Sequence, residues 1–410
     1  MASNLGSAAV PHQHRGRGRI LRAMAAAPIY LDHAATTPVR PEVFEAMAPF
    51  FGPRFGNPSS THRWGREARV ALDEAHERVA QCLGAAADEI CFTSGGTEAD
   101  NLAVLGAWRV LRAQGKRRVV TSPTEHKAVL VAAHQAAKEG AEERLLAVTA
   151  TGAVDLADAS AALTPETAVC SVMWVNNETG VLQPIAELAA RTKSAGALFH
   201  TDAVQAFGKV AVDARAIPFD FASVSGHKLG APKGIGAFFI RRGTPLEPLF
   251  FGGSQDRGRR PGTENVAMAV GLACAMELAV AEREAHWAAN EAMRDALQAA
   301  LVARVPGLVV HSAGAPRAPH ILTVSVPGTD SESLLMALDL QGVAASSGSA
   351  CQSGSITPSH VLSAMGVKPD LANAAIRMSL GVLNTPEDVS RVAELFPALV
   401  AKARGLAGVA

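Results

Sequence analysis

The chain has 410 residues, enough for two or three domains of roughly 100–200 residues, each with its own core. Lysine plus arginine and aspartate plus glutamate both number 38, so no global field is available to hold nucleic acid or an anionic membrane. No apolar run reaches the ~18 residues of a membrane span without a charge; the nearest, 266–281, contains Glu277 and reads as a packed helix.

Residues 1–27 are rich in arginine, glycine and histidine over 12–22 and lack a secretory apolar segment, so they are expected to form a disordered extension. Order begins with a short strand at 29–32 running into the turn 33–37. Pro41 then takes the first position of a helix with Val43, Phe44 and Met47 on one face. Strands follow at 89–93, 118–121, 168–175, 197–200, 219–224 and 235–240, with helices at 98–112, 127–139 and 185–195 between them. This alternation predicts right-handed crossovers and a mainly parallel, doubly wound sheet. Beyond Thr263 come an alanine-rich helical region (266–302), a strand (320–326) and a helix (333–340). A Ser/Gly/Ala-rich loop around Cys351 precedes a last helix opened by Thr385, Pro386 and Asp388 as a capping box. The expected fold class is α/β. A large sheet domain spans 38–284, and a smaller α+β domain is built from 28–37 and 285–410.

Several short segments carry candidate chemistry. In Phe92-Thr-Ser-Gly-Gly-Thr-Glu98 a strand ends at two glycines and Thr97 with Asp100 opens a helix. Such an N-terminus suits a phosphate, and it also suits a simple turn and cap. Asp202 ends an apolar strand, where a carboxylate either faces the crevice beyond the sheet or caps the next helix. Lys228 follows a buried strand inside a small polar loop, so desolvation would make it a competent Schiff-base amine; Lys233, between Pro232 and Gly234, is the rival in an exposed turn. His126 stands at a strand-to-helix junction, able to stack on a flat ring or to serve as a turn residue. Asn177 and Arg377 lie beside apolar strands. Arg377 can grip a substrate carboxylate or form a structural ion pair.

Five cysteines (Cys82, Cys91, Cys170, Cys274, Cys351) show neither a CxxC pair nor zinc-ligand spacing, a sparse odd set that points to a reducing compartment. Four sit among apolar neighbours as small buried hydrophobes. Cys351 lies among small polar residues with little to pack against, as expected of a thiol on a mobile loop or of a linker.

In order along the chain, IYLDHAATTPV, FGNPSSTHRWG, FTSGGTEADN, TEHKAVL, VNNETG, HTDAVQAFGK, SGHKLGAPKGIG, RRPGTEN, SSGSACQSGSITPSHVL and IRMSLG resemble the cysteine desulfurases of the NifS/IscS type. These belong to the class V aminotransferases among fold-type I pyridoxal 5'-phosphate enzymes, whose large domain holds a seven-stranded-type sheet flanked by helices. The resemblance implies that Lys228 is the Schiff-base lysine and Cys351 the persulfide cysteine. It implies that Gly96, Thr97, Ser225 and His227 hold the cofactor phosphate, with Thr263 supplied from the neighbouring subunit of a homodimer with shared active sites. Asp202 matches the partner of the pyridine nitrogen, Gln205 the side chain near the phenolic oxygen, and His126 the stacking imidazole. Asn177 and Arg377 match groups that hold the carboxylate of L-cysteine. A cytoplasmic enzyme passing sulfur to an acceptor protein is expected, without nucleic acid or membrane. No metal site is expected, apart from Cys351 as a ligand to an iron–sulfur cluster in transit. The tail that docks an iron–sulfur scaffold in some members is not recognisable after Arg377. Selenocysteine lysis or another class V transaminase-type reaction is the alternative, and Cys351 discriminates against simple transamination.

Overall fold

In the computed structural model, which describes residues 27–348 and 358–406, a short strand β1 (Ile29–Tyr30) precedes seven strands that form one sheet. These are β2 (Ile90–Thr93), β3 (Arg118–Thr121), β4 (Glu142–Leu145), β5 (Thr167–Ser171), β6 (Leu198–Asp202), β7 (Phe221–Ser225) and β8 (Gly236–Ile240). Their spatial order is β2-β8-β7-β6-β5-β3-β4, and β8 alone runs antiparallel to its neighbours. Because successive strand residues point to opposite faces, Val119, Val169, Phe221 and Phe238 pack into the core on one side of the sheet. Val120, Cys170, Ala222 and Phe239 pack into the core on the other. Both faces are therefore covered, as a parallel sheet requires.

A second core lies apart from that sheet. Strands β9 (Val309–Val310), β10 (Ile321–Ser325) and β12 (Ala375–Ser379) form an antiparallel sheet, and β1 pairs in parallel with β11 (Val343–Ala344). Leu31, Leu297, Leu322, Val324, Leu338, Ile376 and Phe396 interlock there. The chain's described start is thus packed into its last third. No helix among the described residues is long and apolar enough to cross a membrane.

Three local expectations need correcting. The helical region expected over 266–302 is two helices, Val266–Ala281 and Arg283–Arg304. The break at Glu282 falls where the two cores part: Leu272 and Met276 belong to the first, Leu297 and Leu301 to the second. Arg40 Nη2 holds the Glu282 carboxylate at the break, at 2.9 Å. Strand β5 stops at Ser171, short of Val175, because Val175–Val181 folds back on itself, with Asn176 Oδ1 accepting the amides of Glu178 (3.0 Å) and Thr179 (2.8 Å). Finally, the helix after β2 begins at Gly96, not behind a Thr97 cap; Gly95 is its cap residue, and Asp100 is buried inside it.

Candidate active site

The carboxyl ends of β6 and β7, side by side in the sheet, open on one crevice. A cavity of about 340 Å³ there gathers Gly96, Thr97, His126, Asn177, Asp202, Gln205, Ser225, His227, Lys228 and Arg377. Ten of the twelve residues singled out by motif thus line one cleft. Lys233 is exposed and outside it.

One end of the cleft is built for an anion. Gly95 takes φ 152°, a backbone conformation that other residues rarely adopt, and a Cβ on Gly96 would lie 2.7 Å from Val204 Cγ2. The glycines let the amino end of the helix close on the sheet, with Thr97, Ser225 and His227 around it. His227 Nδ1 lies 3.1 Å from Thr36 Oγ1, and burial, with help from Lys228 and Lys233, depresses its pKa to about 4. A neutral imidazole serves here as a hydrogen-bonding group without adding charge.

Lys228 closes the short turn Gly226–Lys228 after β7. Its Nζ donates to the carbonyls of Ala34 (2.5 Å) and Ala35 (2.6 Å). Burial is the main reason its pKa falls to about 8; the positive charges of Arg377 and Lys209 add to the effect, and Asp32 and Asp202 oppose it. The pKa is thereby brought near physiological pH, so that an appreciable fraction of the amine is unprotonated, the condition for condensing with an aldehyde.

Asp202 belongs to a buried group of three carboxyls with Asp100 and Glu125. Burial, reinforced by the charge of Asp202, pushes Asp100 well above the usual carboxylate range and Glu125 up to about 8. Burial raises Asp202 as well, but the His126 ring and Lys228 counter the rise. Asp202 is therefore the member of the three whose charged form is supported by neighbouring cations, and it lines the cavity, where it can pair with a cationic ring nitrogen. Its Oδ1 is held by the amide of Val204 at 2.9 Å. Beneath it, His200 Nδ1 meets Ser171 Oγ at 2.7 Å and His200 Nε2 meets Ser223 Oγ at 2.9 Å.

His126 caps the helix Lys127–Lys138: Nδ1 accepts from the Ala128 amide at 3.2 Å, which places the proton of the neutral ring on Nε2. Gln205 Nε2 donates to Ala34 O at 2.8 Å. Arg377, in β12 and almost fully buried, donates to Asn177 O and to Asp32 Oδ1, each at 2.9 Å, and its Nε has no partner among the described residues. That unsatisfied N–H and the Asn177 side chain are the groups suited to a carboxylate.

Of the other two predicted residues, only one is described, and it lies outside the cleft. Thr263 lines a separate one with Phe92, Thr93, Arg260 and Glu264. Cys351 lies outside the described residues, but both stems of its segment are fixed beside the site. Ser346 exchanges backbone hydrogen bonds with Arg377, Gly348 lines the cavity, and Ser359 Oγ donates to Glu178 Oε2 at 2.5 Å. Cys91 and Cys170 are buried and Cys82 and Cys274 half-buried, and burial raises all four thiols, Cys82 to about 11 and Cys170 to about 12.

Sequence reasoning missed Asp32, Asp100, Glu125 and Glu178. Glu178 is buried, which pushes its carboxyl up to about 7 against the influence of Ser359. A buried Glu next to Asn-Asn was a usable signal. The meeting of Asp100, Glu125 and Asp202 depends on three separate elements and left none.

The family model for class-V aminotransferases matches residues 29–392. A protein named cysteine desulfurase IscS from Dictyoglomus turgidum is 43% identical over 376 residues, covering 92% of this chain and 95% of its own length. Cysteine desulfurase NifS of Azotobacter vinelandii is 45% identical, covering 93% and 94%. A solved structure described as a NifS-like protein superposes with a TM-score of 0.85 at 35% identity, covering 92% of this chain and all of that one. The chain belongs to the class-V aminotransferase family, and its α/β fold with a seven-stranded, mainly parallel sheet is that of its NifS-like neighbours.

Proposed function

We propose that the chain is a pyridoxal 5'-phosphate-dependent cysteine desulfurase that moves the sulfur of L-cysteine onto Cys351 and releases L-alanine. The observation that carries this reading is the shared cleft: a desolvated amine, a buried carboxylate and a phosphate-sized helix terminus, with the stems of the Cys351 segment at its rim. The relatives named as cysteine desulfurases support it.

The donor set fits the cofactor. Gly96, Thr97, Ser225 and His227 would hold its phosphate, Asp202 its ring nitrogen, Gln205 its phenolic oxygen and His126 its ring face. When bound, the cofactor supplies a conjugated ring that drains electron density from the substrate Cα. Asp202 would keep the ring nitrogen protonated, while burial disfavours the charged forms of Asp100 and Glu125 behind it and the Asp32 carboxylate is paired with Arg377. Arg377 and Asn177 hold the substrate carboxylate and so fix which Cα bond faces Lys228. The Lys228 amine takes the Cα proton. The Cys351 thiolate then attacks the substrate sulfur: an S–S bond forms, the Cβ–S bond breaks, and its electron pair stays with the carbon skeleton, which leaves as L-alanine after protonation.

Thr263 lies outside its own chain's cleft, so its phosphate role requires a second copy. Exposed Phe250 and Phe251, on the segment leading to Thr263, offer apolar surface for that homodimer. The persulfide then passes to a sulfur-acceptor protein in the reducing cytoplasm. Incubating the protein with cofactor, L-cysteine and a thiol reductant should yield alanine and sulfide in equal amounts. Alanine without sulfide, or neither, defeats the reading.

Two further results are expected. Replacing Arg377 with lysine removes the planar fork and should raise KM for L-cysteine about 10–100-fold, as read from initial rates. The rate at which the cofactor-free protein condenses with added pyridoxal phosphate should climb with pH and level off above about 8, since only the unprotonated Lys228 amine has a lone pair to offer. Stopped-flow absorbance across pH 6–10 measures it.

A further inference from the structure

A second cavity, about 80 Å³, shares Lys228 with the cofactor cleft but none of its other lining residues. Its polar wall is made by His33, Lys209 and His320, with Arg40 and Glu282 at one side. Two buried nitrogens there have no hydrogen-bond partner among the described residues: His33 Nε2 and His320 Nδ1, on side chains 7% and 2% exposed. Lys209 is desolvated, and no carboxylate among the described residues pairs with it. The one carboxylate in the wall, Glu282, is committed to Arg40, and His286 Nε2 lies 3.5 Å from it. A half-buried ammonium with no carboxylate partner and two buried imidazole nitrogens, none of them hydrogen-bonded among the described residues, form an incomplete polar site. The volume suits a few waters or one small ion.

We infer that this cavity binds a small monoanion, of formate or halide size, between Lys209, His33 and His320. The tautomer of His320 makes binding proton-linked. Gln205 Nε2 donates to Ala34 O, so Gln205 Oε1 is an acceptor and His320 Nε2, 3.3 Å away, must be the donor. In the neutral ring, Nδ1 then presents a lone pair, and it becomes a donor to an anion only on taking up a proton. The charged groups that bear most on His320 are cationic, namely Lys209, Arg377, Arg294 and, when protonated, His33, while Glu282 across the cavity is paired with Arg40. An anion among them relieves that repulsion and brings its proton with it.

The test uses the cofactor-loaded enzyme. Crystals soaked in sodium bromide should show an anomalous peak between Lys209 and the two imidazoles. Sodium formate, titrated calorimetrically at constant ionic strength in two buffers of different ionisation enthalpy, should bind saturably with uptake of about one proton. Lys209→Gln should weaken that binding at least about tenfold, Lys209→Arg should restore it, and Arg377→Lys should leave it unchanged, which separates this site from the substrate carboxylate position. A cavity free of bromide in the wild-type crystals overturns the inference, as does formate binding that is indifferent to Lys209→Gln. The crystal arm holds even if that variant does not fold.

Discussion

Lys228→Ala is expected to lose alanine and sulfide production together, by about 10³-fold or more, along with the visible absorption of the Schiff base. The size of the effect follows from the two tasks placed on one atom. The Nζ of Lys228 is the described amine of the cleft with a pKa brought to about 8, and Lys233 is too exposed to substitute for it. The variant should still fold, because the amine's two hydrogen bonds go to the carbonyls of Ala34 and Ala35 rather than into either hydrophobic core. Circular dichroism and the cofactor spectrum, recorded on the same sample as the activity, separate lost chemistry from lost structure.

Cys351→Ser gives the opposite pattern: the absorption band stays and turnover falls below about one hundredth of wild type. A serine hydroxyl is nearly isosteric, but at neutral pH it is neither ionised nor able to form a bond to sulfur that a reductant can later open. The stems of the segment should be unaffected, since Ser346 pairs with Arg377 and Ser359 with Glu178 without any contribution from residue 351. Full sulfide release by this variant would mean that sulfur leaves by a route that bypasses the thiol.

The large sheet was legible because its central strands are buried on both faces and so read as short apolar runs between helical stretches, as Phe221–Ser225 and Gly236–Ile240 do. Strand β4 was not: Glu142–Leu145 is a half-exposed edge strand whose charged residues carry no such signature. The helix Arg63–Cys82 was passed over, although its alanine and leucine face packs against the helix Val266–Ala281. The break at Glu282 was hidden because nothing in an alanine-rich run marks where one core ends and another begins.

The cleft was legible where its residues sit in compact loop motifs, as Asp202 and Gln205 do within HTDAVQ and Ser225, His227 and Lys228 within SGHK. What lies beneath those motifs was not. Asp100 read as a helix cap, and only the folded chain sets it beside Asp202 and 3.6 Å from His200 Nε2. Lys209 and His320, 111 positions apart in the chain, meet in the second cavity for the same reason.

The sulfur itself gives the most direct test. Cofactor-loaded protein is mixed with L-cysteine, without reductant, and the peptide bearing Cys351 is analysed by mass spectrometry while released alanine is counted. The account predicts one added sulfur atom on Cys351 for each alanine formed in the first turnover. Alanine formed with Cys351 unmodified would contradict it.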